Sequence, residues 1–349
     1  MEMDFQRALA YGIVILLALS VLATGQNLSF VASAEAILQS KSIAGTVPLT
    51  DPSSQTWNLA PVVQVPLNPQ VTTPPMLTGP SIRSLGVRSV NNGTWIAFLV
   101  EWADSTRNVT TFKVEDFRDS VAIQFPLVAQ QPFVCMGQLG NTVNVLHWKA
   151  DWQEDIDTFY HDVKDAYPNL QVDYYPFAAG KPPYSLLPVA NMSREFVAGW
   201  AAGNPLSNPF KLTPVEDLVA GGFGTLTTED HQDAIGRGVW QNGIWKVVIA
   251  RPFATGDSDD AQFAQGITKP VAFAVWDGGN RERDGTKSVS SWLTMSVEST
   301  TQTPLWALVA LAVMGAVTAM SVLLLYKPSL RTKLREKIRL GGAKNNPTK

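Results

Sequence analysis

Ser81–Glu101 reads SIRSLGVRSVNNGTWIAFLVE. Two apolar runs flank Asn91-Asn92-Gly93. Asn-Gly between such runs is the strongest short-range hairpin signal, because both residues accept the positive φ that a tight two-strand turn needs. In the second run Thr94, Ile96, Phe98 and Val100 alternate with Trp95, Ala97, Leu99 and Glu101. A period of two predicts a strand whose successive side chains point to opposite faces.

Outward from this hairpin the pattern repeats. Gln241-Asn242-Gly243 separates Gly236–Trp240 from Ile244–Ala250 and predicts a second hairpin, while Val121–Phe125, Val271–Trp276 and Ser288–Met295 read as further strands. Seven or more short strands divided by turns predict an all-β chain, an antiparallel β-sandwich of the aligned-sheet type over residues 81–300. An insertion of helix and loop is expected at about 148–235. Within it Asp151–Tyr167 has helical spacing, with Trp152, Ile156, Phe159 and Val163 on one face and Pro168 as its stop. Upstream, residues 35–80 are Pro- and Thr-rich and predict an extended arm or edge strands rather than a helix.

The two ends are of another kind. Ala8–Ala23 is apolar and is followed by Ala32-Ser33-Ala34, a small-residue site of the sort a signal peptidase cuts. Residues 1–34 are therefore expected to be a signal peptide, with an uncleaved N-terminal anchor as the alternative. Residues 304–326 carry no charge and have Trp306 and Tyr326 near their ends. Such a stretch is long enough to cross ~30 Å of hydrocarbon. Residues 327–349 follow with eight Lys and Arg against Glu336. By the positive-inside rule this basic tail is cytoplasmic. The expected topology is a single-pass membrane protein with its main domain on the periplasmic, extracytoplasmic side.

The chain carries net charge −3, of which the tail contributes +7, so the remainder carries −10. An acidic body on a basic anchor argues against nucleic-acid binding. The single cysteine, Cys135, rules out an intrachain disulfide, and no CxxCH motif for covalent haem attachment is present. The three histidines His147, His161 and His231 have no HExxH spacing, and no nucleophile elbow marks a Ser-His-Asp set. No catalytic residue is expected. Asp257, Asp259 and Asp260 in GDSDDA lack the twelve-residue EF-hand pattern and read as a solvated loop rather than a calcium loop.

Two segments offer iron ligands. In Gln131–Gln138, QPFVCMGQ, Met136 presents a thioether, although a methionine there is more simply a core residue. In Val271–Trp292, VAFAVWDGGNRERDGTKSVSSW, Lys287 presents an amine among serines, although a surface lysine is the plainer reading. Lys246 in IWKVVIARP and His147 in VNVLHWKADW are competing candidates, and each also fits an ordinary sheet position.

Taken together, QPFVCMGQ, VNVLHWKADWQ, GVWQNGIWKVVIARP and VAFAVWDGGNRERDGTKSVSSW resemble the haem-binding γ subunits of extracytoplasmic molybdoenzymes. That family includes subunits of ethylbenzene dehydrogenase, dimethyl sulfide dehydrogenase, chlorate reductase and selenate reductase, with related subunits in nitrite oxidoreductases and nitrate reductases. The resemblance covers roughly residues 80–297. It implies one haem b in the β-sandwich, held between Met136 and Lys287, with Lys246 and His147 as alternatives. It implies as partners a molybdopterin catalytic subunit, an iron–sulfur subunit, and a cytochrome c or the quinone system. The implied role is electron transfer, with the nitrite oxidoreductase or nitrate reductase type favoured. A thioether ligand raises the potential of haem iron. A lysine must lose its proton to bind, which from a pKa near 10.4 costs about 4–5 kcal/mol at pH 7, and a dry pocket lowers that cost. The rival reading is a carbohydrate-binding β-sandwich module on which Trp95, Trp102, Trp240, Trp245 and Trp276 form a stacking platform. Packing of these tryptophans in the core is the plainer expectation.

Overall fold

The structure is a computed structural model and describes residues 37–128, 130–132, 136–158, 161, 163–170, 211–299, 305–326 and 332. The expected signal segment, Cys135, most of the basic tail and the middle of the expected insertion lie outside the described residues. Two units are present, Met1–Ser299 and Thr300–Lys349.

Among the described residues, fourteen strands build the first unit: β1 (Leu38–Ser42), β2 (Val63–Pro66), β3 (Asn68–Pro69), β4 (Ser84–Asn91), β5 (Trp95–Ala103), β6 (Ser120–Pro126), β7 (Val143–Lys149), β8 (Val215–Ala220), β9 (Thr227–Thr228), β10 (Ile235–Gln241), β11 (Ile244–Pro252), β12 (Thr268–Trp276), β13 (Ser288–Val289) and β14 (Leu293–Val297). Eleven of them follow one hydrogen-bonded path, β10-β11-β5-β4-β1-β14-β12-β6-β7-β8-β9, with β2 paired to β4 and β13 paired to β12 and β3. The path doubles back at β12. Thr268–Val271 pairs with β14, and Ala272–Trp276 pairs with β6. One strand thus belongs to both layers of a sandwich, and the main core lies between them. Phe98, Trp102, Trp245 and Ile249 come from one layer, and Ile123, Phe125, Leu146 and Trp148 from the other.

Both expected hairpins form. β4 pairs β5 around Asn91-Asn92-Gly93, and β10 pairs β11 around Asn242 (φ 53°) and Gly243 (φ 76°). The sheet is not purely antiparallel, because β1 runs parallel to both of its neighbours, β4 and β14. Nor is β1 an edge strand, as its Pro- and Thr-rich surroundings suggested. The stretch after it covers the outer face of the β4-β5-β11 layer, where Val47, Trp57 and Ala60 bury Val90, Leu99 and Val248. That is why β5 is apolar on both faces.

The expected continuous helix is broken into α1 (Ala150–Thr158) and α2 (Val163–Ala166). At its end the Thr158 hydroxyl donates back to Glu154 O at 2.8 Å. The expected insertion also contains sheet: β8 lies within it and pairs with β7 along its length. α1 is tied to the second hairpin through buried Gln153, whose Oε1 accepts from Gly238 N at 2.9 Å.

The second unit contains α3 (Leu305–Tyr326), 22 residues, LWALVALAVMGAVTAMSVLLLY. Its side chains are described only at 310–319 and 321. Among the described residues no helix is long and apolar enough to cross a membrane.

Candidate functional site

The central strands of the second layer, β6, β7 and the second half of β12, are covered on both faces. On β12, Val271, Phe273 and Val275 enter the main core, so Ala272, Ala274 and Trp276 face the other way. On β6 the outward set is Ser120, Ala122 and Gln124, and on β7 it is Val145 and His147. The register places Ala274 beside Ala122 and Ala122 beside His147. Small side chains in the middle of a sheet face leave a floor with room above it. A cavity of about 960 Å³ stands there, at the upper end of the roughly 300–1,000 Å³ found for cofactor and small-molecule sites. It lies on the outer face of one layer, not where the two layers part.

Loops form the walls. Met136 enters from the β6–β7 connection with φ 81°, followed by Gly137 with φ 78°. A left-handed backbone at a long apolar residue is strained by about 1–3 kcal/mol and persists only where its surroundings enforce it. Here Gln124, rising from the floor, accepts the Met136 N–H at 3.0 Å. A Cβ on Gly137 would lie 2.6 Å from Ala220 O, so the chain behind Met136 also admits only glycine without movement. Lys287 enters from the β12–β13 loop. Its carbonyl accepts from Gln70 N at 2.9 Å. The Gln70 side chain in turn donates to Gly285 O and Thr73 O, each at 2.8 Å, and clips two rim loops together.

Met136 and Lys287, 151 positions apart, meet at this cavity. The Lys287 amine donates to the Met136 thioether at 3.8 Å. Lys287 is only 8% exposed and sits 4.9 Å from the centre of the Trp276 ring. His147 stacks on the same ring at 4.7 Å. Its Nε2 has no hydrogen-bond partner among the described residues. Burial, then the Lys149, Arg118 and Lys287 cations, push its pKa well below the usual imidazole value, so it is a neutral ring. Lys113, Arg118 and Arg283 add cations to the walls.

Lys246 is elsewhere. It lies outside the cavity, 48% exposed at its side chain and paired with Glu101 at 2.9 Å. Its face of β11 points away from the main core, because Trp245, Val247 and Ile249 take the inward positions. The tryptophan platform does not form either. Trp102 and Trp245 are 3% and 2% exposed in the core, stacked at 6.2 Å, and Trp276 belongs to the cavity. Sequence reading overlooked Gln124 and the alanine floor. The signal was present as VAFAVW, in which alanine alternates with bulky residues, but nothing local says which face meets the core.

The donor set fits a haem iron. One soft thioether and one amine converge in a half-open, mostly apolar space over small residues, with cations on the wall for carboxylates. The sequence profile described as ethylbenzene dehydrogenase matches residues 54–288. A protein of Haloferax mediterranei named as a respiratory nitrate reductase haem subunit is 26% identical over 76% of this chain and 76% of its own length. Chlorate reductase subunit gamma of Ideonella dechloratans is 27% identical over 74% of this chain and 84% of its own length. Dimethylsulfide dehydrogenase subunit gamma of Rhodovulum sulfidophilum is 40% identical over a shorter match, 23% of this chain and 32% of its own length. Among solved structures, a family 9 carbohydrate-binding module from Caldicellulosiruptor kristjanssonii superposes weakly, with TM-score 0.35 and 9% identity over 77% of this chain and 98% of that one. The chain belongs to the ethylbenzene dehydrogenase family, the family that its four sequence segments resemble.

Proposed function

We propose that this chain is the haem b subunit of a molybdenum oxidoreductase complex and relays single electrons between the iron–sulfur subunit and a cytochrome c or the quinone system. The molybdopterin catalytic subunit would carry the substrate chemistry, and this chain none. One observation carries the reading: the Met136 thioether and the Lys287 amine, 3.8 Å apart, converge on the lining of one 960 Å³ cavity. When bound, the haem supplies one-electron redox chemistry. The chain's own residues do the rest. Gln124 and Gly137 hold the thioether forward, Gln70 fixes the backbone of Lys287, and the alanine floor accepts a flat ring. Burial against Trp276 shields the amine from water. The nitrite oxidoreductase or nitrate reductase type of complex is favoured, supported by the likeness of VNVLHWKADWQ and by the Haloferax relative's name. The apolar sequence of α3 and the basic tail support a single-pass anchor with the sandwich outside the cytoplasm.

The deciding experiment is a visible spectrum of the purified full-length chain after reduction, followed by pyridine extraction. A Soret band with sharp α and β bands and an extractable b-type haem are expected. A colourless protein from haem-replete cells would overturn the reading.

A further inference from the structure

Behind the cavity floor, on the opposite face of β7, three acids are buried together. Asp217 lies on β8 and is 0% exposed, Glu229 follows β9 at 6%, and Asp260 sits in the loop after β11 at 3%. One carboxylate oxygen from each lies within 4.8 Å of the others. Asn144 of β7 organises them. Its Nδ2 donates to Asp217 Oδ1 at 2.6 Å and Glu229 Oε1 at 3.0 Å, and its Oδ1 accepts from Arg251 Nη1 at 2.6 Å. Arg251, fully buried, also pairs with Asp260 Oδ1 at 2.8 Å. These bonds leave Asp217 Oδ2, Glu229 Oε2 and Asp260 Oδ2 with no hydrogen-bond partner among the described residues, although all three are buried.

An ionised carboxylate taken out of water costs several kcal/mol, roughly, unless it is paired. Three such groups exceed one guanidinium by two charges. The deficit can be met by protons, and burial does push Asp217 up to about 7 and Glu229 up to about 9. It can be met more completely by a dication. We propose that Asp217, Glu229 and Asp260 form a binding site for one calcium ion. The donors are all oxygen, which selects a hard cation. Ligand atoms up to 4.8 Å apart can sit across one coordination sphere, since calcium takes oxygens at about 2.3–2.6 Å. Magnesium, with shorter bonds and a stricter octahedron, fits less well. Three carboxylates, one guanidinium and one dication sum to zero charge.

The ion would fasten the layers to each other. Asp217 and Asn144 belong to the cavity-bearing layer, whereas Arg251 and Asp260 belong to the other layer and its following loop. Val145, the next residue after Asn144, faces the cavity. The site therefore backs the floor without taking part in it, and it is independent of haem binding.

The test uses the full-length chain, stripped with chelator and returned to chelator-free buffer. Calcium chloride is the probe, in calorimetric titration and thermal melting, with magnesium chloride as the comparison. About one calcium per chain and a raised melting temperature are expected. Glu229→Gln and Asp217→Asn should each weaken calcium binding at least tenfold, while Glu115→Gln, at an exposed position, should not. Absence of calcium binding and of any calcium-dependent melting shift in the wild-type chain overturns the proposal. So does an equal response to magnesium, or full-strength binding in the Asp217 and Glu229 variants. If those variants fail to fold, the wild-type titration decides alone.

Discussion

At the scale of single residues, the choice between two lysines turns on which face of a strand each occupies. Lys246 lies on the outward face of β11, paired with Glu101 of the neighbouring β5, whereas Lys287 donates to Met136. Lys287→Ala is expected to convert a low-spin haem spectrum to high-spin, with Lys246→Ala leaving the spectrum unchanged. The reverse pattern would move the ligand to Lys246, and silence in both would bring His147 forward. Met136→His should retain haem and lower the midpoint potential, because imidazole is a more basic donor than a thioether; an unchanged potential and spectrum in Met136→Ala would remove Met136 from the iron. His147 carries a separate pH signature. Its folded pKa lies well below 6.5, so below pH 6.5 the unfolded chain binds a proton that the folded chain refuses. Stability from this group is complete above that value and falls by roughly 1.4 kcal/mol for each pH unit below it, as long as the folded ring stays neutral. His147→Phe keeps a ring on Trp276 and does not titrate. Between pH 7 and 5 it should lose clearly less stability than wild type in denaturant melts, and parallel losses would refute the assignment. The thioether and amine were legible as candidate donors from QPFVCMGQ and the loop before Ser288. Their meeting was not, because nothing local connects residues 151 positions apart.

At the scale of elements, turn chemistry and strand period were the readable parts. Both Asn-Gly turns fall where the pattern put them. The helix after β7 was over-read, since apolar spacing alone does not say where a helix ends. The second hairpin contains a position that burial statistics would not single out. A Cβ on Gly238 would lie 2.1 Å from Trp148 Cζ2, inside the core, and Trp148 has the Trp245 ring at 5.0 Å. Gly238→Ala must therefore displace a buried indole. Overpacking of this kind costs about 1–3 kcal/mol, so a lowered denaturation midpoint with little change in slope is expected. A melt indistinguishable from wild type would show that β10 yields at no cost and that Trp148 does not fix the distance between the layers.

At the scale of the whole molecule, the acidic sandwich and the apolar C-terminal segment are chemically distinct bodies. Protease added outside spheroplasts should digest residues 45–300 and spare a tag placed after Lys349. Loss of the tag with the membrane intact would invert the proposed topology. The sequence by itself determined the all-β class, the two hairpins and the apolar segment that becomes α3. These depend on the period of two, on the φ tolerance of Asn and Gly, and on unbroken apolarity, all of which are properties of neighbouring residues. Only the tertiary structure decided which face of β6, β7 and β12 carries the cavity, which lysine reaches it, and that Asp260 leaves its solvated-looking loop to join Asp217 and Glu229. In VAFAVW both alternating faces are apolar, so periodicity distinguishes two faces without naming the core. That choice is made when two sheets close on each other and the larger set, Val271, Phe273 and Val275, is buried between them, leaving the alanines to line the space outside.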